Sequence, residues 1–257
     1  MTATDPADVP KIITVGEGFC VRQEIDNIAW IDLGEFAVVV DALERPELEG
    51  EVFAAIRRTL GETPVRYVLN THTHYDHTAL NAALKREFGC EIINQRTSRT
   101  GPEGRWIEGS RRRLHWLPMG GCHTAEDCVA WVPEDRALFV GDIFGWGLIP
   151  LSGSLRNDTA RLLLNTYGRL IDLDPAVVVP GHGPLGTRET LERWVEYFNW
   201  LRTRCAEAVA AGKADAQTMS EVAPPEDMSN WWRFEMWKHE DSLSKVLRAV
   251  RSGALDA

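Results

Sequence analysis

The segment THTHYDH at 71–77 constrains this chain more than any other stretch of it. Three imidazoles and one carboxylate stand there, directly after the apolar run VRYVLN. A short apolar run of that kind suits a buried strand. In an extended backbone alternate side chains share a face, so His72, His74 and Asp76 are expected to point the same way off the strand end. A turn after Asp76 would bring in His77 as well. Imidazoles and a carboxylate packed this densely suit zinc or another first-row divalent metal. The plainer reading, a histidine-rich surface loop, loses force because matching residue types recur downstream.

They recur three times. GGCHTAED (120–127) places His123 after two glycines. Cys122 beside it should face the opposite way and is read as structural. ALFVGDIF (137–144) sets Asp142 just after an apolar strand, where its two oxygens could bridge two cations. VVVPGHGP (177–184) holds His182 between glycines that permit tight turns near a bound ion. Five of the seven histidines therefore fall in strand-end loops. His115 lies in an arginine-rich stretch and reads as exposed or packing. His239, in WWRFEMWKHED, is a candidate to line a pocket.

Strand and helix patterns alternate up to about residue 184 and helices dominate afterwards, which predicts a layered α/β architecture. Residues 1–11 read as a loose tail, 12–184 as the core and 185–257 as a helical segment packed on it. NIAWIDLG and EFAVVVDA read as strands, and 46–60 as a helix closed by Gly61. Helices are also expected near 78–88, 158–171, 188–212 and 240–251. The stretch 97–118 looks irregular and carries Arg99, Arg105, Arg111, Arg112 and Arg113. It reads as a solvated surface loop or as a lid that attracts an anionic substrate.

Composition narrows the partners. The formal net charge of −10 argues against nucleic acid and against an anionic membrane surface. The first residues show no charged start followed by an apolar run, and no stretch of about 18 apolar residues occurs, so a cytoplasmic location is expected. Five cysteines without zinc-ribbon spacing read as buried thiols. Trp231, Trp232, Phe234 and Trp237 read as core or subunit-interface filling, or as the wall of a substrate pocket.

Taken in order, His72, His74, Asp76, His77, His123, Asp142 and His182 resemble the ligand set of the metallo-β-lactamase superfamily, over residues 12 to 184. The resemblance implies an α/β fold, an αββα four-layer sandwich, with the helical C-terminal extension beside it. It implies two divalent metal ions, zinc foremost, with iron or manganese as alternatives. His72, His74 and His123 would hold one ion, Asp76, His77 and His182 the other, and Asp142 would bridge. A metal-bridging hydroxide would be the nucleophile, with Asp76 the catalytic residue that orients it. Within the family, true β-lactamases usually carry Cys or Ser where Asp142 stands, and nucleic-acid-cutting branches carry extra domains. Glyoxalase II enzymes share the seven ligands and a helical C-terminal part. Here, however, the loop after His123 reads T-A-E-D in place of T-x-G, a departure at Asp127. No basic glutathione-binding set maps onto the C-terminal helices. The expectation is therefore a hydrolase of a small-molecule ester, thioester or lactone, with a di-iron redox enzyme on the same fold as the alternative. Flavin-linked relatives of that second kind have Glu where His74 stands and a fused flavodoxin domain. Trp146 and Leu148, in the segment GWGLIP just after Asp142, are expected to contact an apolar part of the substrate, with His239 beside them.

Overall fold

The computed structural model describes residues 8–151 and 153–256. The chain begins with an antiparallel meander of β1 (Lys11–Gly16), β2 (Phe19–Gln23), β3 (Ile28–Asp32) and β4 (Ala37–Val40). Helix α1 (Glu49–Leu60) crosses to β5 (Val65–Leu69), parallel to β4, and α2 (Asn81–Phe88) crosses to β6 (Glu91–Ile93), parallel to β5. After a single turn, α3 (Gln95–Ser98), come β7 (Arg105–Glu108), β8 (Arg113–Pro118), β9 (Cys128–Val132) and β10 (Ala137–Gly141). Helix α4 (Asn157–Asp172) then leads to β11 (Val177–Pro180), and the chain ends in α5 (Arg188–Ala210), α6 (Asp215–Glu221) and α7 (His239–Arg251). The first sheet runs β1 to β6 in sequence order, and the second runs β11-β10-β9-β8-β7.

Period-2 alternation turns these two sheets into four layers. In β3, Ala29 and Ile31 face the second sheet and pack with Trp116, Ala130 and Phe139. Trp30, between them, faces the other way onto Val52, Phe53 and Ile56 of α1. In the second sheet, Leu138 and Val140 face outward and pack with α4, α5 and α7 through Leu163, Trp194 and Leu247. The order is thus helix, sheet, sheet, helix. The C-terminal helices share one continuous apolar cluster with the second sheet and α4. The tryptophan cluster belongs to it: Trp231, Trp232 and Phe234 are buried, while Trp237 is exposed.

The stretch 97–118 is not irregular. Its second half is the β7–β8 hairpin at the end of the second sheet. The arginines there are held by acids or, for Arg105, lie over the Tyr67 ring, and do not form a cationic lid. Arg112 is buried and grips Asp135 at 2.5 and 3.1 Å while donating to the Glu17 and Asp32 carbonyls. Arg111 meets Asp32 at 3.1 Å, and Arg113 meets Glu134 at 3.4 Å. His115 stacks on Trp106 and bonds the Glu103 carbonyl. Residues 1–7 of the expected tail lie outside the described residues; Asp8 bonds Trp232 and Arg233. Among the described residues, no helix is long and apolar enough to cross a membrane.

Candidate metal centre

All the histidine-bearing motifs leave the same edge of the two sheets. THTHYDH follows β5, the His123 loop joins β8 to β9, Asp142 follows β10, and His182 follows β11. The first sheet supplies one motif and the second sheet three.

The chain bends at Thr71 and His72, is extended at His74 (ψ 156°), and then coils into a 3-10 turn over Tyr75–His77. This divides the motif. Alternation holds for His72 and His74, but Asp76 does not stay on their face, because the turn starts one residue before it. Asp76 and His77 swing to the other side together. The side chains gather into two groups, His72–His74–His123 and Asp76–His77–Asp142–His182, with ligand-type atoms within 4.8 Å of one another in each. Asp142 lies between the groups. Its Oδ2 is 3.5 Å from His123 Nε2 and 4.0 Å from His72 Nε2, and its Oδ1 is 3.3 Å from His77 Nε2 and 3.4 Å from His182 Nε2.

These residues fit a cation. His72 Nε2, His77 Nε2 and Asp142 Oδ1 are buried and lack any hydrogen-bond partner. A buried polar atom without a partner is costly, and three of them gathered about Asp142 ask for positive charge there. Gly181 leaves the room: a Cβ there would strike Asp142 Oδ1 and the His77 ring.

A second set of contacts aims the rings. His77 Nδ1 donates to Asp41 Oδ2 at 3.0 Å, His182 Nδ1 to the Ile25 carbonyl at 3.0 Å and His123 Nδ1 to the Pro150 carbonyl at 2.9 Å. Each bond engages Nδ1 and turns Nε2 towards the cluster, where the Nε2 of His123 meets His74 Nδ1 at 3.0 Å. Asp41 also accepts from the Thr71 backbone at 2.8 Å, so one carboxylate positions both ends of the motif. Asp41 sits at the end of β4 with φ +60°, a left-handed conformation rare for residues other than glycine. The His182 loop is fastened by Asn27, whose amide donates to the Pro180 and Gly183 carbonyls, both at 2.9 Å.

Asp127, the departure from the T-x-G pattern, builds the His123 turn. Its carboxylate accepts from the backbone of His123 (2.7 Å), Thr124 (2.8 Å) and Cys122 (3.2 Å), and from the Thr124 hydroxyl. The neighbouring Glu126 accepts from Thr73 and Arg96, both at 2.8 Å, and so ties this loop to the first motif. Cys122 is fully buried in the second-sheet cluster, where burial pushes its thiol up to about 11; it is not a member of either group.

Of the three residues expected to touch substrate, Trp146 and His239 are buried and Leu148 is half-buried. Trp146 is buried, packs on Phe144 and Trp231, and donates its indole N–H to the Pro184 carbonyl. Leu148 is half-buried against Gly145. His239 is buried, with Nδ1 on the Tyr197 hydroxyl at 2.9 Å and Nε2 on the Val222 carbonyl at 2.8 Å, so neither nitrogen is offered to a pocket. Asp41, Asn27 and the role of Asp127 escaped the sequence reading. For Asp41 a signal existed: VVVDA, like FVGD, is a buried run that ends abruptly in a carboxylate.

In the metal-free chain, protons balance the acids. Burial disfavours charge on His182, but Asp142 and Asp76 outweigh it and lift the ring to about 10. Burial also opposes charge on His77, and Asp41 and Asp142 overcome it, raising the ring well above its ordinary value. Asp142 is held well below the usual carboxylate range by His77 and His182 despite its burial. Burial and the nearby His77 push His72 down to about 3.

Comparison with known proteins agrees with this geometry. The profile of the Metallo-beta-lactamase superfamily matches residues 22–121 and 102–182. A hydroxyacylglutathione hydrolase of Rhodospirillum rubrum is 34% identical over 208 residues, covering 77% of each chain. One from Rhizobium meliloti is 29% identical over 164 residues, 60% of this chain and 56% of that protein. Among solved structures, a metallo-beta-lactamase from Pontibacter korlensis superposes with a TM-score of 0.59 at 20% identity, over 74% of this chain and 98% of its own. A stereoselective inverting sec-alkylsulfatase from a Pseudomonas species reaches 0.69 at 13% identity, over 93% of this chain and half of its own.

Proposed function

The chain belongs to the metallo-beta-lactamase superfamily, and from that premise we propose that its edge cluster holds two divalent ions, most simply zinc, and hydrolyses a small-molecule thioester. His72, His74 and His123 would hold one ion and Asp76, His77 and His182 the other, with Asp142 shared between them. The observation that carries this reading is the division of Asp142, one oxygen towards each group. A dinuclear, metal-dependent hydrolase is what this family and the relatives named above support.

When bound, two such ions supply a nucleophile from water at neutral pH and polarise the substrate carbonyl. The protein's own residues do the rest. Asp41, Pro150 and Ile25 fix the rings of His77, His123 and His182 through Nδ1. Burial works against the charge of Asp76, but the pull of His182 and His77 holds it at about 2, so it is anionic at neutral pH. Half-buried at the mouth with one oxygen 3.1 Å from His182 Nε2, it is placed to orient water towards the substrate. Thioesters are favoured over lactones and oxyesters because relatives at 34% and 29% identity are hydroxyacylglutathione hydrolases.

The test is elemental analysis of protein purified without added metal, followed by assays on S-lactoylglutathione, neutral thioesters, esters and lactones. About two zinc per chain with thioester turnover, both lost in His123→Ala and Asp142→Ala, is expected. Iron with a visible band that bleaches on reduction would instead make this a redox enzyme. Full metal content and activity in both variants would refute the ligand assignment.

A further inference from the structure

Three apolar side chains that the fold leaves in water belong to, or lie against, the loops that carry the cluster. Among the described residues eight large apolar side chains are exposed, and three of these adjoin the cluster. Tyr75, 62% exposed, lies in the chain between His74 and Asp76. Ile25, 36% exposed, gives its carbonyl to His182 Nδ1 and to the Gly183 amide. Leu162 of α4, 38% exposed, lies against Gly121, two residues before His123, so closely that a Cβ there would meet its Cδ2 at 2.7 Å. The three come from three separate elements, each touching or adjoining a different part of the cluster. His74 is itself exposed, which marks this as the open side.

Large apolar groups are usually buried, and apolar groups beside converging polar ligands are how small-molecule sites are lined. Apart from the proposed ions, the basic side chain that reaches the His123 loop, Arg96, is already neutralised by Glu126 at 2.8 Å, and the chain carries a net −10.

We infer that Tyr75, Ile25 and Leu162 form an apolar collar selecting substrates with a bulky, uncharged apolar group next to the scissile bond. This rests on the hydrolase reading above and deepens it. It also separates this chain from a preference for glutathione thioesters, which are polar on both sides of the bond.

Two series test it on the metal-loaded enzyme. One varies the acyl group, from acetyl to hexanoyl and phenylacetyl, on N-acetylcysteamine. The other keeps acetyl and varies the thiol, from N-acetylcysteamine to benzyl thiol. A rise in kcat/KM of about tenfold or more is expected along at least one series, in line with the worth of added apolar groups in a binding site. S-lactoylglutathione should fall below the best member by a similar factor. Tyr75→Ala combined with Leu162→Ala should shrink the preference to within about threefold while metal content stays at the wild-type value. Calorimetry with uncleavable thioethers gives a readout independent of turnover: the benzyl thioether of N-acetylcysteamine should bind about tenfold tighter than the methyl one. Cleavage without preference in either series, together with equal thioether binding, overturns the collar. Absence of any cleavage with the thioether preference intact upholds the collar and sinks the thioester reading instead.

Discussion

The two halves of the metal centre solve the same problem with different chemistry. The His72–His74–His123 group offers only imidazoles of its own, and its fully buried member, His72, is held without a proton. The Asp76–His77–Asp142–His182 group brings two carboxylates and, in the metal-free chain, imidazoles whose charged forms those carboxylates favour. One half stands ready for a cation; the other must exchange protons for one. Asp142 is the piece they share, so the two halves differ in charge yet are not independent.

The sharpest way to break the comparison is to remove what is common to both. Asp142→Asn should lower metal content in both halves and cut kcat by more than about a hundredfold, beyond the loss expected for a residue that only orients a ligand. Plasma mass spectrometry and steady-state kinetics check it; loss of only one ion would show that the halves bind separately. Asp41→Asn strikes the carboxylate-rich half harder, because Asp41 bonds the His77 ring directly and reaches His72 only through Thr71. One ion should bind about 10- to 100-fold more weakly and the other be weakened less, as read by competition with a chelator of known affinity.

Asp127→Asn addresses the imidazole half. It would set an amide N–H₂ against the backbone donors of the His123 turn and should cost about 1–3 kcal/mol of stability, lowering the melting temperature by about 2–4 °C per kcal/mol. An unchanged melting temperature would show that the turn does not depend on its acid. The smallest effect is a proton count. Metal loading at pH 7 should release about two protons per chain, from His77 and His182, measured by calorimetry in buffers of different ionisation enthalpy. For His182 the folded pKa of about 10 lies above the ordinary 6.5. The stability it gives the metal-free chain is therefore complete below pH 6.5 and fades as pH rises towards 10. Metal-loaded protein should not show that decline.

The sequence made the cluster visible because each cluster residue stands at the end of an apolar run, and a strand end is recognisable from a few neighbouring residues. Asp41 ends such a run too, but its partnership with the motif stayed hidden, because it lies 36 residues before His77 and reaches it only through the parallel pairing of β4 with β5, which no local pattern encodes. The β7–β8 hairpin was missed for a different reason. Its arginines broke the apolar alternation, although each finds an acid or aromatic partner once the chain has folded. For Trp146, expected to contact substrate, a few neighbouring residues say little, because a tryptophan suits a core as well as a pocket wall; in the fold its ring packs against Phe144 and Trp231.

The ligand-bearing loops grow from opposite sheets, and that has a mechanical consequence. An ion held by His72 of the first sheet and His123 of the second, as proposed, would act as a rivet through the seam of the sandwich, joining residues 51 apart in the chain. Like any ligand that only the folded state can bind, it draws the equilibrium towards that state in proportion to its free concentration. Metal supply would then govern the lifetime of the protein as well as its turnover, and a starved chain would part first along the edge where its chemistry is done.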